Sequence, residues 1–329
     1  MYKSHLIFGR HLLALTLALP LISTSANAAD EFPSKPITMV VGFAPGGATD
    51  TAARIIAKKL GENLGQAVVV DNRAGAGGNI AHLQVSQAAP DGYTILLGSV
   101  GPLTIAPHLI AKLGYDPQRD LAPLTMGVSF PNVLVVHSAV PAKTFAEFVA
   151  LAKQKPGTLD YASTGVGSAS HLAGELLKQR GNLDIVHVPY KGGGPALIDL
   201  LAGRITAYYA TPTSAGPHIE SGKLRALAVT GLLRSPTLPT VPTIAESGYA
   251  AFDATNWYAF VAPGRTPTAL LERWNRELVK VLNAPDVREQ LIKHGLSPTP
   301  GTREELAKFI QQESITWARV IKQGNITAD

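Results

Sequence analysis

The chain has 329 residues, 46% of them hydrophobic and 16% charged, which is enough apolar material for one or two cores and excludes a disordered chain. It has no cysteine, so a disulfide framework, a thiolate metal site and a cysteine nucleophile are all excluded. The formal net charge of +5 is scattered without a dense Lys/Arg run, so no nucleic-acid surface is expected and only a weak preference for small anions follows.

Lys3 and Arg10 precede the apolar run Leu12 to Ile22, and Ala26-Asn27-Ala28 supplies small residues for an A-x-A cut. This is the pattern of a secretory signal, and the run is too short for a spanning helix of about 20 apolar residues. A retained anchor is the alternative. Residues 1–28 are therefore read as a signal peptide cleaved near Ala28. Once Lys3 and Arg10 have left, the exported chain, expected outside the cytoplasm, carries a net charge of +3.

From Ile37 the sequence alternates strand-like and helix-like segments. Ile37 to Phe43 is β-rich, and Thr51 to Leu64 repeats apolar residues at helical spacing (Ile55, Ile56, Leu60, Leu64). A strand at Ala67 to Val70, a helix at Asn79 to Ala88 and a strand at Tyr93 to Leu97 follow. The pattern restarts after Asp116-Pro117, with strands at 133–136, 159–163, 185–188, 205–210 and 224–230 and helices at 144–153, 168–179 and 195–201. Trp257 to Val261 is a further strand, and from Pro267 the chain is helical with breaks at 283–285 and 298–301. Alternation of this kind implies mainly parallel sheets with helices on their faces, whose ligands sit beyond the carboxyl ends of the strands. Two such α/β units imply two lobes with a cleft between them.

Several loops fall at those strand ends. Gly46-Gly47 admits a ligand close to the backbone, and the helix after it offers free N–H groups to an anion. A tight turn capped by Thr49 or Asp50 explains the same residues. Asp50 reads as structural, because a carboxylate beside a bound anion is unfavourable. Gly75-Ala76-Gly77-Gly78-Asn79 repeats the chemistry but lacks the third glycine of a dinucleotide fingerprint, and no Walker pattern is present, so no cofactor is expected. Ser163-Thr164-Gly165-Val166-Gly167-Ser168 with His171 is a third anion-competent loop. The G-x-S-x-G elbow is missing there, which makes Ser168 a helix cap rather than a nucleophile. The nine histidines form no H-E-x-x-H and no metal-ligand pair. Phe43, Tyr190, Tyr208, Tyr209 and Trp257 lie at strand or loop ends, where core packing accounts for most and one or two can wall a cleft.

A series of motifs runs through almost the whole exported chain. It comprises Lys35-Pro36-Ile37, Pro45-Gly46-Gly47 with Asp50, Asn72-Arg73 with Gly75 to Gly78, Pro90-Asp91-Gly92-Tyr93 and Tyr115-Asp116-Pro117. Lys155-Pro156-Gly157, His171 to Glu175, Val188 to Gly192, Gly222 to Leu227 and Pro242 to Glu246 follow in order. In this the sequence resembles the Bug, or TctC-like, family of extracytoplasmic receptors of tripartite tricarboxylate transporters.

The resemblance implies a two-lobed periplasmic binding protein of type II-like α/β architecture, acting as a monomer. It would close over one small carboxylated solute and deliver it to the membrane permease subunits. One lobe would comprise residues 29–127 plus 258–329 and the other 128–257, hinged near Val128 to Val133 and Asn256 to Val261. The implied binding residues are Phe43, Ala44, Gly46, Gly47, Gly75, Ala76, Gly77, Gly78, Asn79 and Ser99 on one side. Ser163, Thr164, Gly165, Ser168, His171, Tyr190 and Tyr209 stand opposite. Two departures from the family stand out: Ala81-His82 after the second glycine loop, and Thr206 where an acid is usual. The lost acid beside Tyr208-Tyr209 suggests a flatter, less polar solute such as an aromatic carboxylate. A solute sensor feeding a membrane kinase and a secreted hydrolase are the alternative functions.

Overall fold

The computed structural model describes Met1 and residues 32–328; apart from Met1, the segment read as a signal peptide and its cut lie outside the described residues. The chain opens with β1 (Ile37–Val41), α1 (Ala48–Leu64), β2 (Val68–Asn72), α2 (Asn79–Ser86), β3 (Thr94–Ser99), the short α3 (Ala106–Leu109) and α4 (Pro117–Asp120), and β4 (Leu121–Pro131). A second run gives β5 (Val133–His137), α5 (Phe145–Gln154), β6 (Asp160–Ser163), α6 (Ala169–Gly181), β7 (Val186–Pro189), α7 (Gly193–Leu201), β8 (Ala207–Ala210), α8 (Pro212–Glu220) and β9 (Leu224–Val229). The chain then returns through β10 (Thr255–Pro263), α9 (Thr268–Asn283), α10 (Pro285–Lys293), β11 (Ser297–Pro298) and α11 (Arg303–Gly324).

Local chemistry sets these limits. Helix α1 turns Ala52, Ala53, Ile56 and Leu60 inward and stops at Gly65, whose φ of 66° suits glycine and whose N–H bonds Gly61 O. Helix α11 starts at a reciprocal capping box between Thr302 and Glu305. In β5 the alternation divides the cores: Leu134 and Val136 join one cluster, and Val133 and Val135 another.

Strands β11-β4-β10-β3-β1-β2 form one sheet and β7-β6-β8-β5-β9 the other. Most strands of each sheet share a direction. A reversed strand stands inside each, however, so the pairings of β10 with β3 and β4 and of β5 with β8 and β9 are antiparallel. The sheets are therefore mixed where mainly parallel ones were expected. Alternation along the sequence could not reveal a strand that enters its sheet from the other lobe.

The first sheet is covered on one face by α1, α9 and α10, whose Ile56, Trp274 and Leu291 are fully packed. Its other face shares one continuous core with the second sheet, reaching from Val85 and Trp317 to Tyr161 and Leu172. Strand β4, not anticipated from the sequence, carries Pro123 and Pro131 and keeps to the first sheet past the expected boundary at 127/128. Register shifts against β10 accommodate it.

The chain crosses between sheets at Asn132 and again over 230–254, and Thr230 laces the two crossings together. Its hydroxyl accepts from Asn132 N (3.0 Å) and donates to Ala254 O (3.0 Å), while its own N–H donates to Asn132 O (2.9 Å).

The two halves meet face to face. A Cβ on Gly77 would overlap the carbonyl oxygen of Val166, and one on Gly101 that of Gly167. Thr213 Oγ1 donates to His294 O at 2.8 Å on another side. The cleft is shut, and glycines make the approach possible. Gly101 does not have a positive φ, so alanine is tolerated there in the open protein. Gly101→Ala should hold the lobes apart, giving a larger radius of gyration by small-angle scattering while the melting temperature stays within about 2 °C of wild type. A radius equal to that of the wild type would refute this role.

Candidate functional site

The first loop is built before anything binds in it. Asp50, on the first turn of α1, accepts from Gly46 N (3.1 Å), Arg54 Nε (3.0 Å) and Asn72 Nδ2 (3.1 Å), and Asn72 Nδ2 also reaches Phe43 O (3.0 Å). Burial alone would raise the Asp50 carboxyl. The bonds from Arg54, Gly46 and Asn72, with the Arg54 charge, hold it below the ordinary 3.8. Asp50 thus ties residues 43–47 to α1, and Gly47 caps that helix without a side chain.

A cavity of about 30 Å³ lies between the lobes at these strand ends. Four helices point their first turns at it. Gly47, Ala48 and Thr49 come from α1, Ser168 to Ser170 from α6, Gly193 from α7 and Thr211 from α8. The first N–H groups of a helix lack intrahelical partners and carry partial positive charge. Ser168 and Thr211 satisfy one such donor each, through His171 N and Ser214 N, whereas α1 and α7 have glycine caps. No lysine, arginine or histidine lines the cavity among the described residues.

Its polar side chains are short of partners. Ser99 Oγ, Asn132 Nδ2, Tyr208 OH, Tyr209 OH and Asn256 Oδ1 are buried and have no hydrogen bond among the described residues, and all five residues line this cavity. Buried polar atoms are rarely left unpaired. Here they converge on one space. Burial pushes the phenols of Tyr208, Tyr209 and Tyr258 well above their ordinary value, so all three keep their protons and can donate.

Of the residues expected at a binding site, Phe43, Gly47, Ser99, Thr164, Ser168 and Tyr209 line the cavity. Ala44, Gly46, Ser163 and Gly165 stand in the same loops just outside it. The second glycine loop lies elsewhere: Gly77 meets Gly165 and Val166 at the contact between lobes, Gly78 packs near Phe43, and Gly75 and Ala76 lead into them. Asn79 donates to Ala76 O (2.6 Å) and accepts from Tyr115 OH (2.8 Å). Tyr190 donates to Asp199 Oδ2 (2.8 Å), and Trp257 donates to Glu313 Oε2 (3.1 Å) on the outer side.

His171 accepts from Gly167 N (3.2 Å) and stacks on His187 at 4.1 Å between ring centroids, and burial pulls its ring down to about 4. Ser168 Oγ pairs with Ser170 Oγ (3.1 Å) and accepts from His171 N, so it is a helix cap without a bond to the His171 ring. The serine bonded to an imidazole in this loop is Ser163, whose Oγ meets His187 Nε2 at 2.6 Å.

The two departures now have structural readings. His82 is fully buried; its Nδ1 bonds Gly78 O (2.9 Å) and its Nε2 accepts from Ser99 N (3.4 Å). Burial lowers the ring to about 4, so it is neutral and fixes Ser99 at the cavity wall. Thr206 pairs with Asp160 (Thr206 N to Oδ1, 2.6 Å) and does not line the cavity, so the lost acid there says nothing about the solute.

Asn132, Ser170, Gly193, Thr211, Asn256 and Tyr258 were missed as wall residues. A signal existed for Thr211: Thr-Pro is a cap followed by proline at the first helical position.

A two-lobed α/β protein with a donor-lined cavity between its lobes defines a solute-binding protein. The profile of the tripartite tricarboxylate transporter family receptor, TctC, matches residues 52–326, and the chain belongs to that family. It is thus a periplasmic solute-binding protein and not an enzyme. Relatives include a UPF0065 protein from the tcbD-tcbE intergenic region of Pseudomonas sp. (strain P51), 41% identical over 97% of this chain and 95% of its own length. Another is Protein BugT of Bordetella pertussis, 39% identical over 90% and 91%. Among solved structures, a Rhodopseudomonas palustris protein with adipate is 35% identical, covers 90% of this chain and 99% of its own, and has a TM-score of 0.87. MatC from Rhodopseudomonas palustris with bound malate is 33% identical, with 88% and 100% covered and a TM-score of 0.84.

The Asp50 network makes a pH prediction. A carboxyl whose folded value is depressed contributes stability above its unfolded value, and that contribution is lost as pH falls through the folded value. Asp50→Asn should therefore cost about 2 kcal/mol in urea unfolding at pH 7, the scale of hydrogen bonds to a charged group. The gap between variant and wild type should narrow below pH 3.8, the ordinary value of the group. A cost that stays constant down to acid pH would contradict this.

Proposed function

We propose that the chain captures a small carboxylate in the cavity between its lobes and delivers it to the permease subunits of a tripartite tricarboxylate transporter. The observation that carries this reading is the convergence of four helix N-termini and five side-chain atoms without a hydrogen bond on one cavity that, among the described residues, no cationic side chain lines. Such a wall suits an anion whose oxygens take several N–H and O–H donors at once, and oriented backbone dipoles recognise it without a buried lysine. Adipate and malate in the related structures support a carboxylate as the anion. Family membership supports the permease as partner, and the apolar run before Ala26-Asn27-Ala28 supports export with cleavage near Ala28.

In this reading the contacts come from Gly47, Ala48 and Thr49 in one lobe and from Ser168, Ala169, Gly193 and Tyr209 in the other. Binding to both lobes is what favours the shut form, since only contacts that differ between two states shift their balance.

Gly47 has an extended backbone (φ −87°, ψ 178°) and its added Cβ would meet nothing nearer than 3.9 Å, so a side chain there leaves the fold intact while covering the α1 donors. Gly47→Val is expected to weaken carboxylate binding by at least about 100-fold, or roughly 2.7 kcal/mol, in isothermal titration calorimetry. Wild-type affinity for the carboxylate would disprove the assignment.

Because no exposed ion pair is formed, raising NaCl from about 50 to 500 mM should change the dissociation constant less than about threefold. A steep salt dependence would point to a cationic site elsewhere.

A further inference from the structure

One polar pair of the cavity wall stands beside the crossings. Asn132 joins β4 to β5, and Asn256 sits on β10 opposite Phe130 of β4. The two side chains are 1% and 8% exposed and form one amide–amide bond, Asn256 Nδ2 to Asn132 Oδ1 at 3.3 Å.

That bond leaves Asn132 Nδ2 as a donor and Asn256 Oδ1 as an acceptor, both buried at the cavity and unpartnered among the described residues. Reversing both amides exchanges which residue supplies which group, yet one donor and one acceptor always remain.

A carboxylate offers only acceptors. It can satisfy the asparagine donor, the phenols and the helix N–H groups, but not the asparagine acceptor. The hydroxyls of Ser99, Tyr208 and Tyr209 do not reach that acceptor, since they are unpartnered themselves. A hydroxyl both donates and accepts through a single atom, as water does, so a solute hydroxyl that takes that place satisfies the free amide N–H and C=O together.

Resting on the receptor reading above, we infer that the solute is a hydroxy acid whose hydroxyl bridges Asn132 and Asn256 at the floor of the cleft. The hydroxyl donates to the free amide oxygen and accepts from the free amide nitrogen, while the carboxylate lies toward the helix N-termini. The inference replaces the flatter, less polar solute suggested by Thr206.

The test is calorimetric titration of the exported form, stripped of bound solute by unfolding and refolding, with two matched pairs: succinate against malate, and phenylacetate against mandelate. In at least one pair the hydroxy acid should bind about tenfold more tightly or better, and Asn256→Leu should reduce that ratio to about twofold or less. Equal affinity within both pairs, or a ratio that survives in Asn256→Leu, overturns the inference while leaving the carboxylate receptor standing. Failure of all four acids to bind overturns both. Should Asn256→Leu not fold, the wild-type structure with the tighter hydroxy acid decides. Its hydroxyl oxygen is expected within about 3.2 Å of both amides, and a hydroxyl pointing away from them refutes the bridge.

Discussion

The structure depends on backbone dipoles aimed at one space. Helices α1, α6, α7 and α8 arrive at the cavity from two different sheets, each by its N-terminus. This is a direct product of the strand–helix alternation, because every helix that follows a strand begins at that strand's carboxyl end. Two sheets facing each other along those ends therefore set opposite rows of N–H donors against one another. Positive potential accumulates there with no cationic side chain, among the described residues, to desolvate.

Closure is the second constraint. The lobes touch through Gly77, Gly101, Gly165 and Gly167, where any Cβ would collide with backbone or sit at a positive φ. The two crossings are tied through Thr230, whose hydroxyl holds Asn132 and Ala254 against each other. The second glycine loop thus shapes the shut form without lining the cavity.

How much of this was legible in the sequence follows from the physics of each signal. The periodic segments were, because helix and strand repeats are written locally: β1, α1, β5 and α6 fall within a few residues of their expected limits. Strand β4 was not, because Pro123 and Pro131 read as breakers until pairing with β10 and β11 is known. Nor was α8, whose Pro217 masks its period. At the site, glycine loops announced Gly47, and strand ends announced Ser99 and Tyr209. Asn132 and Asn256 lie 124 positions apart and meet only because two crossings run side by side. No local pattern encodes such a meeting. The reversed strands were hidden for the same reason.

For a receptor of the kind proposed, the division of donors between the lobes would also govern how cargo leaves. If the walls that hold a solute belong to two bodies, parting them by a small angle lengthens every cross-lobe contact together. The grip then fails as one event rather than bond by bond. A membrane partner that pries the lobes open, even slightly, would unload the carrier without offering the cargo a stronger attraction of its own.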